Sequence, residues 1–309
     1  MQAIVQHVVN GIMLGSIYAL IALGYSMVYG VLRLINFAHG DVYMVGAFIG
    51  FYSSRWLRLT YTNGQVNEIT PAGMLLIIAI AMLGAALLGV LIERIAYRPL
   101  RRAPRLAALI TAIGVSMLLE YGGQIVFGTT KKDYPWLAGT AQLTGTVQSF
   151  GGISIDKVDV MILIVAAVLV TALHLFVQHT KPGRAMRAVS FDMETASLMG
   201  INPDSIISLT FIIGSAFAGA AGVLVGMRNH YVEPLMGLTA GIKAFVAAVV
   251  GGIGSIPGAA LGGMAIGLCE EAVRAFYPQI TDAMVFGLLI LILLVKPTGI
   301  LGGGTVEKV

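Results

Sequence analysis

The chain is 309 residues long, with 57% hydrophobic residues, 11% charged residues and a net charge of +4. Soluble domains carry about 25% charge, so this composition excludes a water-soluble fold and reads as an integral membrane protein. The single cysteine, Cys269, excludes an intrachain disulfide and offers no metal cluster, and the positive excess sits in loop arginines, which argues against nucleic acid as a partner.

In chain order, the first apolar run spans 7–30. No basic residue precedes it and no clear cleavage site follows, so it is expected to remain as a helix rather than be removed as a signal peptide. A shorter, glycine-rich run at 38–54 is expected either to cross fully or to dip in and return. Runs of about 20 residues, long enough to cross a bilayer as helix, follow at 72–92, 106–127, 159–179 and 206–227. A second short run lies at 237–252, and two more full-length runs at 258–276 and 281–296. Backbone amides in lipid must bond within their own segment, and no segment alternates as a membrane barrel would. The expectation is an all-α integral membrane protein, one polytopic bundle of eight or nine transmembrane helices forming a single domain over 1–309.

The loops give the topology. Glu93 to Arg105, ERIAYRPLRRAPR, holds five arginines against one acid, and the positive-inside rule places it in the cytoplasm. Loop 128–158 carries Lys131, Lys132, Asp133, Asp156 and Lys157, is nearly balanced, and is expected outside with Trp136 at its interface. One span later, 180–205 returns to the side where ATP is found, with Lys181, Arg184 and Arg187 leading it. Arg55 and Arg58 fall on the outer side, the VEKV tail is cytoplasmic, and the side of the N-terminus depends on how 38–54 is resolved.

Small residues recur every four positions at Gly214, Ala218, Gly222 and Gly226 and at Ala81, Ala85 and Gly89, with GxxxG pairs at Gly46/Gly50 and Gly263/Gly267. That spacing makes a smooth face along which backbones approach closely. Ionisable groups at membrane depth are few: His39, Asp41, Glu120, His174, Lys243 and the Glu270-Glu271-Arg274 cluster. Each is costly in lipid and so is expected to face protein or water. Lys243 can snorkel, and Arg274 can pair with Glu270 or Glu271 one turn away. The glycine-rich stretch Gly251 to Gly263, GGIGSIPGAALGG, lacks the lysine and strand context of a phosphate loop and fits a break between helices, where free amides could face a cavity. No nucleotide, metal or nucleophile motif is present in the sequence, so no catalytic, cofactor or metal residue is assigned.

The long polar interruption, Lys181 to Ser205, carries helix signals. Pro182-Gly183 is expected to stop the preceding helix; Asp192 caps a helix from Met193 to Met199, and Gly200 ends it in the left-handed conformation. Asn202-Pro203 supplies a cap and a first-turn proline for the next span. Met193, Ala196 and Met199 share one side, with Glu194 and Ser197 nearer the other. A short amphipathic helix on two rigid joints can fit a partner's groove and transmit motion.

This loop resembles the coupling loop of ABC-importer permeases, with Glu194, Ala196 and Gly200 at the pattern positions and Thr195 and Thr210 departing from it. NFAHGD at Asn36 to Asp41, preceded by GYSMVYGVLRLI, together with ERIAYRPLR, GRAMRA, LMGIN, GGIGSIPGA and KPTGILG in that order, is similar over essentially the whole chain to branched-chain amino-acid ABC transporter permeases of the LivH type. The resemblance implies the ABC importer permease fold and a multi-pass subunit in the lipid of the bacterial inner (plasma) membrane. It also implies a second homologous permease, two ATP-binding-cassette subunits that hydrolyse the ATP, and a periplasmic amino-acid-binding protein delivering leucine, isoleucine or valine. It assigns ATPase contact to Arg184, Arg187, Glu194, Ala196, Gly200 and Ile201. Candidates for the translocation path or its gate are Asn36, Phe37, His39, Gly40, Asp41, Glu120 and Lys243. In this segment Asn36 is expected to cap a helix that begins inside the membrane, and Gly40 to admit another helix. Two rival readings are a permease of the same family for urea, short amides or another small polar solute, and an ion-coupled carrier using Glu120 or Glu270.

Overall fold

The computed structural model describes residues 2–61, 71–101, 103–134, 146–150 and 153–302. Trp136 and the Val306 to Val309 tail, given places in the topology above, lie outside the described residues.

Every apolar run becomes a helix, as backbone burial in lipid requires. These are α1 (Gln2–Leu32), α2 (His39–Tyr61), α3 (Pro71–Ile92), α4 (Arg105–Phe127) and α5 (Lys157–His179). The polar interruption folds as α6 (Lys181–Phe191) and α7 (Met193–Leu198), and the chain continues with α8 (Pro203–Asn229), α9 (Met236–Gly251), α10 (Ile256–Phe276) and α11 (Thr281–Val295). Among the described residues seven helices are long and apolar enough to cross a membrane. Short strands close one end: β1 (Lys132–Asp133) pairs antiparallel with β4 (Tyr231–Val232), and β2 (Thr146–Phe150) with β3 (Ile153–Asp156).

Close approaches set the directions of the helices. α1 runs against α10, with Gly11 on Leu268, Gly15 on Met264 and Gly263 on Ala19. α3 opposes α8 at Gly89 on Ser215 and Ala81 on Gly219, whereas α2 runs parallel to α8 through Gly46 on Gly219 and Gly50 on Val223. The stripes are packing seams: a Cβ on Gly267 would lie 2.2 Å from the Gly15 nitrogen, and one on Gly219 2.6 Å from the Ala81 carbonyl oxygen. Lipid removes most of the hydrophobic drive between helices, so contact of this kind holds the bundle. α1 and α8 are its buried centre, and α4, α5 and α11 its exposed rim.

The loops sort into two ends. Arg101 bonds Asp204, so the two loops expected in the cytoplasm meet, and the Gly254 amide bonds Ser26 at 2.8 Å and the Leu301 amide the Gly251 carbonyl at 2.9 Å, so the turn at 252–255 joins the end of α1 and the closing segment. Lys131 reaches Glu233 at 3.4 Å at the opposite end. Residues 252–255 make a bonded turn against Ser26 and the closing segment, not a row of free amides: the Ser255 hydroxyl accepts the Gly258 amide at 3.2 Å, and the Ser255 amide bonds the Gly252 carbonyl at 3.1 Å.

The run at 38–54 neither crosses as one helix nor returns. His39 packs on Gly24, about two turns short of the end of α1, Gly24 packs on Gly214, near the middle of α8, and Gly40 packs on Gly237 and Gly241 at the start of α9. α2 therefore begins at mid-depth and runs to the outer end, while residues 33–38 climb back into the bundle from the inner one. α9 starts at the same depth and runs the other way. Its 16 residues span about 24 Å, less than the hydrocarbon core of about 30 Å. With these two part-depth helices the described residues make nine passes, and α1 starts at the outer end.

Candidate functional site

Two places carry the residues singled out by sequence. The first is the loop at the inner end. α5 stops at His179, one turn before Pro182-Gly183, and those two residues begin α6 instead. The Thr180 hydroxyl accepts the Gly183 amide at 3.1 Å, and Pro182 sits in the first turn, where a missing N–H is harmless. Gly183 lies flat on α5; a Cβ there would be 2.3 Å from the Phe176 carbonyl oxygen.

α7 forms for the reasons visible in sequence. Asp192 Oδ1 accepts the Glu194 amide at 2.9 Å and the Thr195 amide at 3.0 Å, and Gly200 has φ +86°. The Ile201 amide closes on the Ala196 carbonyl at 3.1 Å, and Asn202 Oδ1 caps α8 through the Asp204 amide at 3.0 Å. Replacing such a cap by alanine costs about 1 kcal/mol. Asp192→Ala is therefore expected to fray α7 and speed proteolytic cleavage within 192–200, while cleavage elsewhere keeps its rate.

The faces of α7 differ from expectation. Ala196 turns inward and is buried, and Ile201 packs against the core. Arg184, Arg187, Glu194 and Gly200 are exposed, with Arg187 bonded to Gln178 at 2.8 Å beside an open cleft of ≈ 70 Å³ lined by Ser26, Gly30, Met186, Thr210 and Gly254. The exposed apolar surface is made by Leu198 (83%), Met199 (79%) and Phe191 (81%). Phe191 and Leu198 were missed in sequence; a large apolar residue at each end of the capped helix was the available signal.

The second place is the mid-depth start of α2. Asn36 does not cap α2 with its side chain. Its Oδ1 receives the Tyr97 hydroxyl at 2.8 Å, and its carbonyl accepts the His39 amide at 3.1 Å. The His39 ring meets Tyr25 edge-on at 4.8 Å, and Phe37 lies 6.3 Å from Phe245. Asp41, in the first turn of α2, accepts the Ser116 hydroxyl at 2.5 Å from α4. Its other oxygen is buried without a hydrogen-bond partner among the described residues and lies against the first turn of α9, whose free amides favour a negative charge. Glu120 is one turn beyond Ser116 on α4, in a half-buried position. Lys243 belongs to a different cluster: its Nζ is 2.8 Å from both Glu270 and Asp282. His174 lies on the exposed face of α5.

A bundle of apolar helices, seven of them long enough to cross a membrane among the described residues, defines a multi-pass membrane protein. The chain belongs to the family of permease components of the branched-chain amino acid transport system, whose profile matches residues 7–294. It is 44% identical over 305 residues to the high-affinity branched-chain amino acid transport system permease protein BraD of Pseudomonas aeruginosa, covering 98% of this chain and 97% of that one. It is likewise 44% identical over 306 residues to LivH of Escherichia coli K12, with the same coverage. Identity to LivM of that organism is 30% over 305 residues, 92% of this chain and 68% of that protein. No solved structure matches. The chain is thus a transport permease of the inner membrane.

Proposed function

We propose that this chain is the LivH-type permease subunit of an ATP-driven importer that carries leucine, isoleucine or valine inward. The observation that carries the reading is 43–44% identity over nearly the whole chain to permeases named for branched-chain amino acid transport. Its partners are a second, LivM-like permease, two ATP-binding-cassette subunits that hydrolyse the ATP, and a periplasmic binding protein that delivers substrate. This chain supplies no catalytic group.

In this reading α7 docks on an ATPase. Leu198, Met199 and Phe191 enter an apolar groove, Arg184, Arg187 and Glu194 set register, and inward-facing Ala196 and Ile201 seat the helix on the permease. Closure of the ATPases drags the loop, and the permease pair exchanges an outward-open for an inward-open cavity. Branched-chain amino acids are apolar zwitterions, so the path needs weak walls and few polar groups. Asn36 to Asp41 and Glu120 stand at mid-depth where such a path would be gated.

The test is uptake of labelled leucine into proteoliposomes holding both permeases, the ATPases and the binding protein. Glu194→Lys with Gly200→Trp reverses a docking charge and forces a large side chain into a left-handed position. Uptake is expected to need ATP and every component and to be lost in the variant. Leucine entry through this chain alone, indifferent to ATP, would overturn the proposal.

A further inference from the structure

We propose that a line of side-chain contacts carries motion of the 181–205 loop to the mid-depth start of α2, with Arg101 and Tyr97 as its positioning residues. This rests on the reading of that loop as the ATPase contact.

The line begins where the loop ends. Met199, Gly200, Ile201 and Asn202 alone separate α7 from α8, and both sides of that joint are bonded, Ile201 to Ala196 and Asn202 to Asp204. A shift of α7 must therefore move the first turn of α8. Asp204, in that turn, is held by Arg98 at 3.0 Å and by Arg101. Arg101 also grips Glu93, which is fully buried and accepts the Ser208 hydroxyl at 2.8 Å on its other oxygen. Asp204 and Ser208 are four residues apart and share one face of α8, so two arginines and one buried acid clasp that face to the end of α3.

The end of α3 has an unusual shape. Residues Glu93–Tyr97 form a π-turn, followed by a 3-10 turn at Arg98–Leu100. A π-turn adds one residue to a helical turn, rotating everything after it by about 100°. That rotation brings Tyr97, Arg98 and Arg101 to bear on α8 and Asn36 together. The Tyr97 ring packs 5.4 Å from Phe211 of α8, and its hydroxyl reaches Asn36, 61 residues upstream, at 2.8 Å. Asn36 in turn bonds the His39 amide, where α2 starts beside α9. Glu93, Tyr97 and Asn36 are all buried, so water does not compete for these bonds. π-turns are rare and concentrate at functional sites; this one joins the two segments that sequence singled out separately.

Coupling claims need coupling measurements. Tyr97→Phe deletes one oxygen and leaves the ring on Phe211; Arg101→Gln unclasps α8. Both are measured in the full complex for leucine uptake per ATP hydrolysed and for stimulation of ATP hydrolysis by leucine-loaded binding protein. Tyr97→Phe is expected to assemble with native basal hydrolysis, and its stimulation and uptake per ATP to fall by roughly fivefold or more, the lower range of allosteric coupling. On a shared line the double variant does no worse than the worse single one. Native stimulation and uptake per ATP in Tyr97→Phe would overturn the proposal. So would a fall in melting temperature alone, as a static clamp predicts, or single effects that multiply in the double variant. A native complex without ATP-dependent uptake would instead sink the functional reading; an active native complex with indifferent variants sinks only the relay. Should Arg101→Gln fail to assemble, Arg101→Lys keeps the charge, loses the two-pronged grip, and is expected to reproduce the uncoupling.

Discussion

Gly40→Val is expected to remove most folded permease from detergent extracts. A Cβ at Gly40 would lie 2.5 Å from the Gly237 carbonyl oxygen and 2.9 Å from Gly241 Cα. Both neighbours are backbone, and both belong to α9, so no rotamer change relieves the clash. Overpacking a core costs about 1–3 kcal/mol where side chains can yield; here two helix starts must separate at the level where Gly24 accommodates His39. Displacing α2 also pulls Asn36 from Tyr97 and Asp41 from Ser116. Gly40→Ala, with one methyl, should fold in part and melt several degrees lower. Gly122→Ala on the open side of α4, where nothing lies within 4 Å, should melt as the native protein does or slightly higher, since alanine favours helix over glycine. Size-exclusion profiles and melting curves of the extracted protein decide it. A monodisperse Gly40→Val species with native melting would mean that α2 and α9 do not meet at this point.

The elements that sequence made legible are those specified locally. Asp192, Gly200, Asn202 and Pro203 each act on amides within a few residues, so the boundaries of α7 and the start of α8 followed from their chemistry. The small-residue stripes marked seams because spacing alone puts them on one helix face. Pro182-Gly183 misled for an equally local reason: proline followed by glycine ends a helix or begins one, and what decides is the Thr180 cap and the flat contact on Phe176. Depth was out of reach. A run of apolar residues has a length and a period but no level in the bilayer, so the mid-depth start of α2 emerges only from the packing of His39 on Gly24 and of Gly24 on Gly214.

Pairing across helices was hidden for the same reason. Arg274 with Glu270 and Glu271 could be foreseen because one helical turn joins them, at 2.6 and 3.2 Å. Lys243 with Glu270 and Asn36 with Tyr97 join different helices, and nothing in a single sequence relates them. Asn36 looked like a helix cap because asparagine before a helix often is one; the buried Tyr97 hydroxyl takes that oxygen instead. The 181–205 loop and NFAHGD thus appeared as two separate motifs, although the end of α3 touches both α8, which follows the loop, and Asn36.

Glu270→Leu is expected to destabilise the permease by about 3–5 kcal/mol, the loss seen when one partner of a buried ion pair is removed. Glu270 is fully buried, and its oxygens receive Lys243 at 2.8 Å, Arg274 at 2.6 Å and the Tyr18 hydroxyl at 2.8 Å. These contacts tie α1, α9 and α10 together. Lys243 also reaches Asp282 of α11, which is 67% exposed, and Arg274 keeps Glu271. Without Glu270 both cations remain, but the buried Tyr18 hydroxyl loses its acceptor and Lys243 depends on an exposed partner. Removing Lys243 as well should recover part of the loss, because a buried pair replaced as a whole by apolar side chains is often neutral. Melting in detergent of Glu270→Leu, Lys243→Met and the double variant forms a cycle that measures the pair directly. A coupling near zero would show that Lys243 relies on Asp282 alone. The same cycle separates a motor-driven permease from a carrier that uses Glu270 for ion coupling. A structural Glu270 lets the double variant regain leucine uptake along with stability, whereas a transporting carboxylate leaves it stable and inactive.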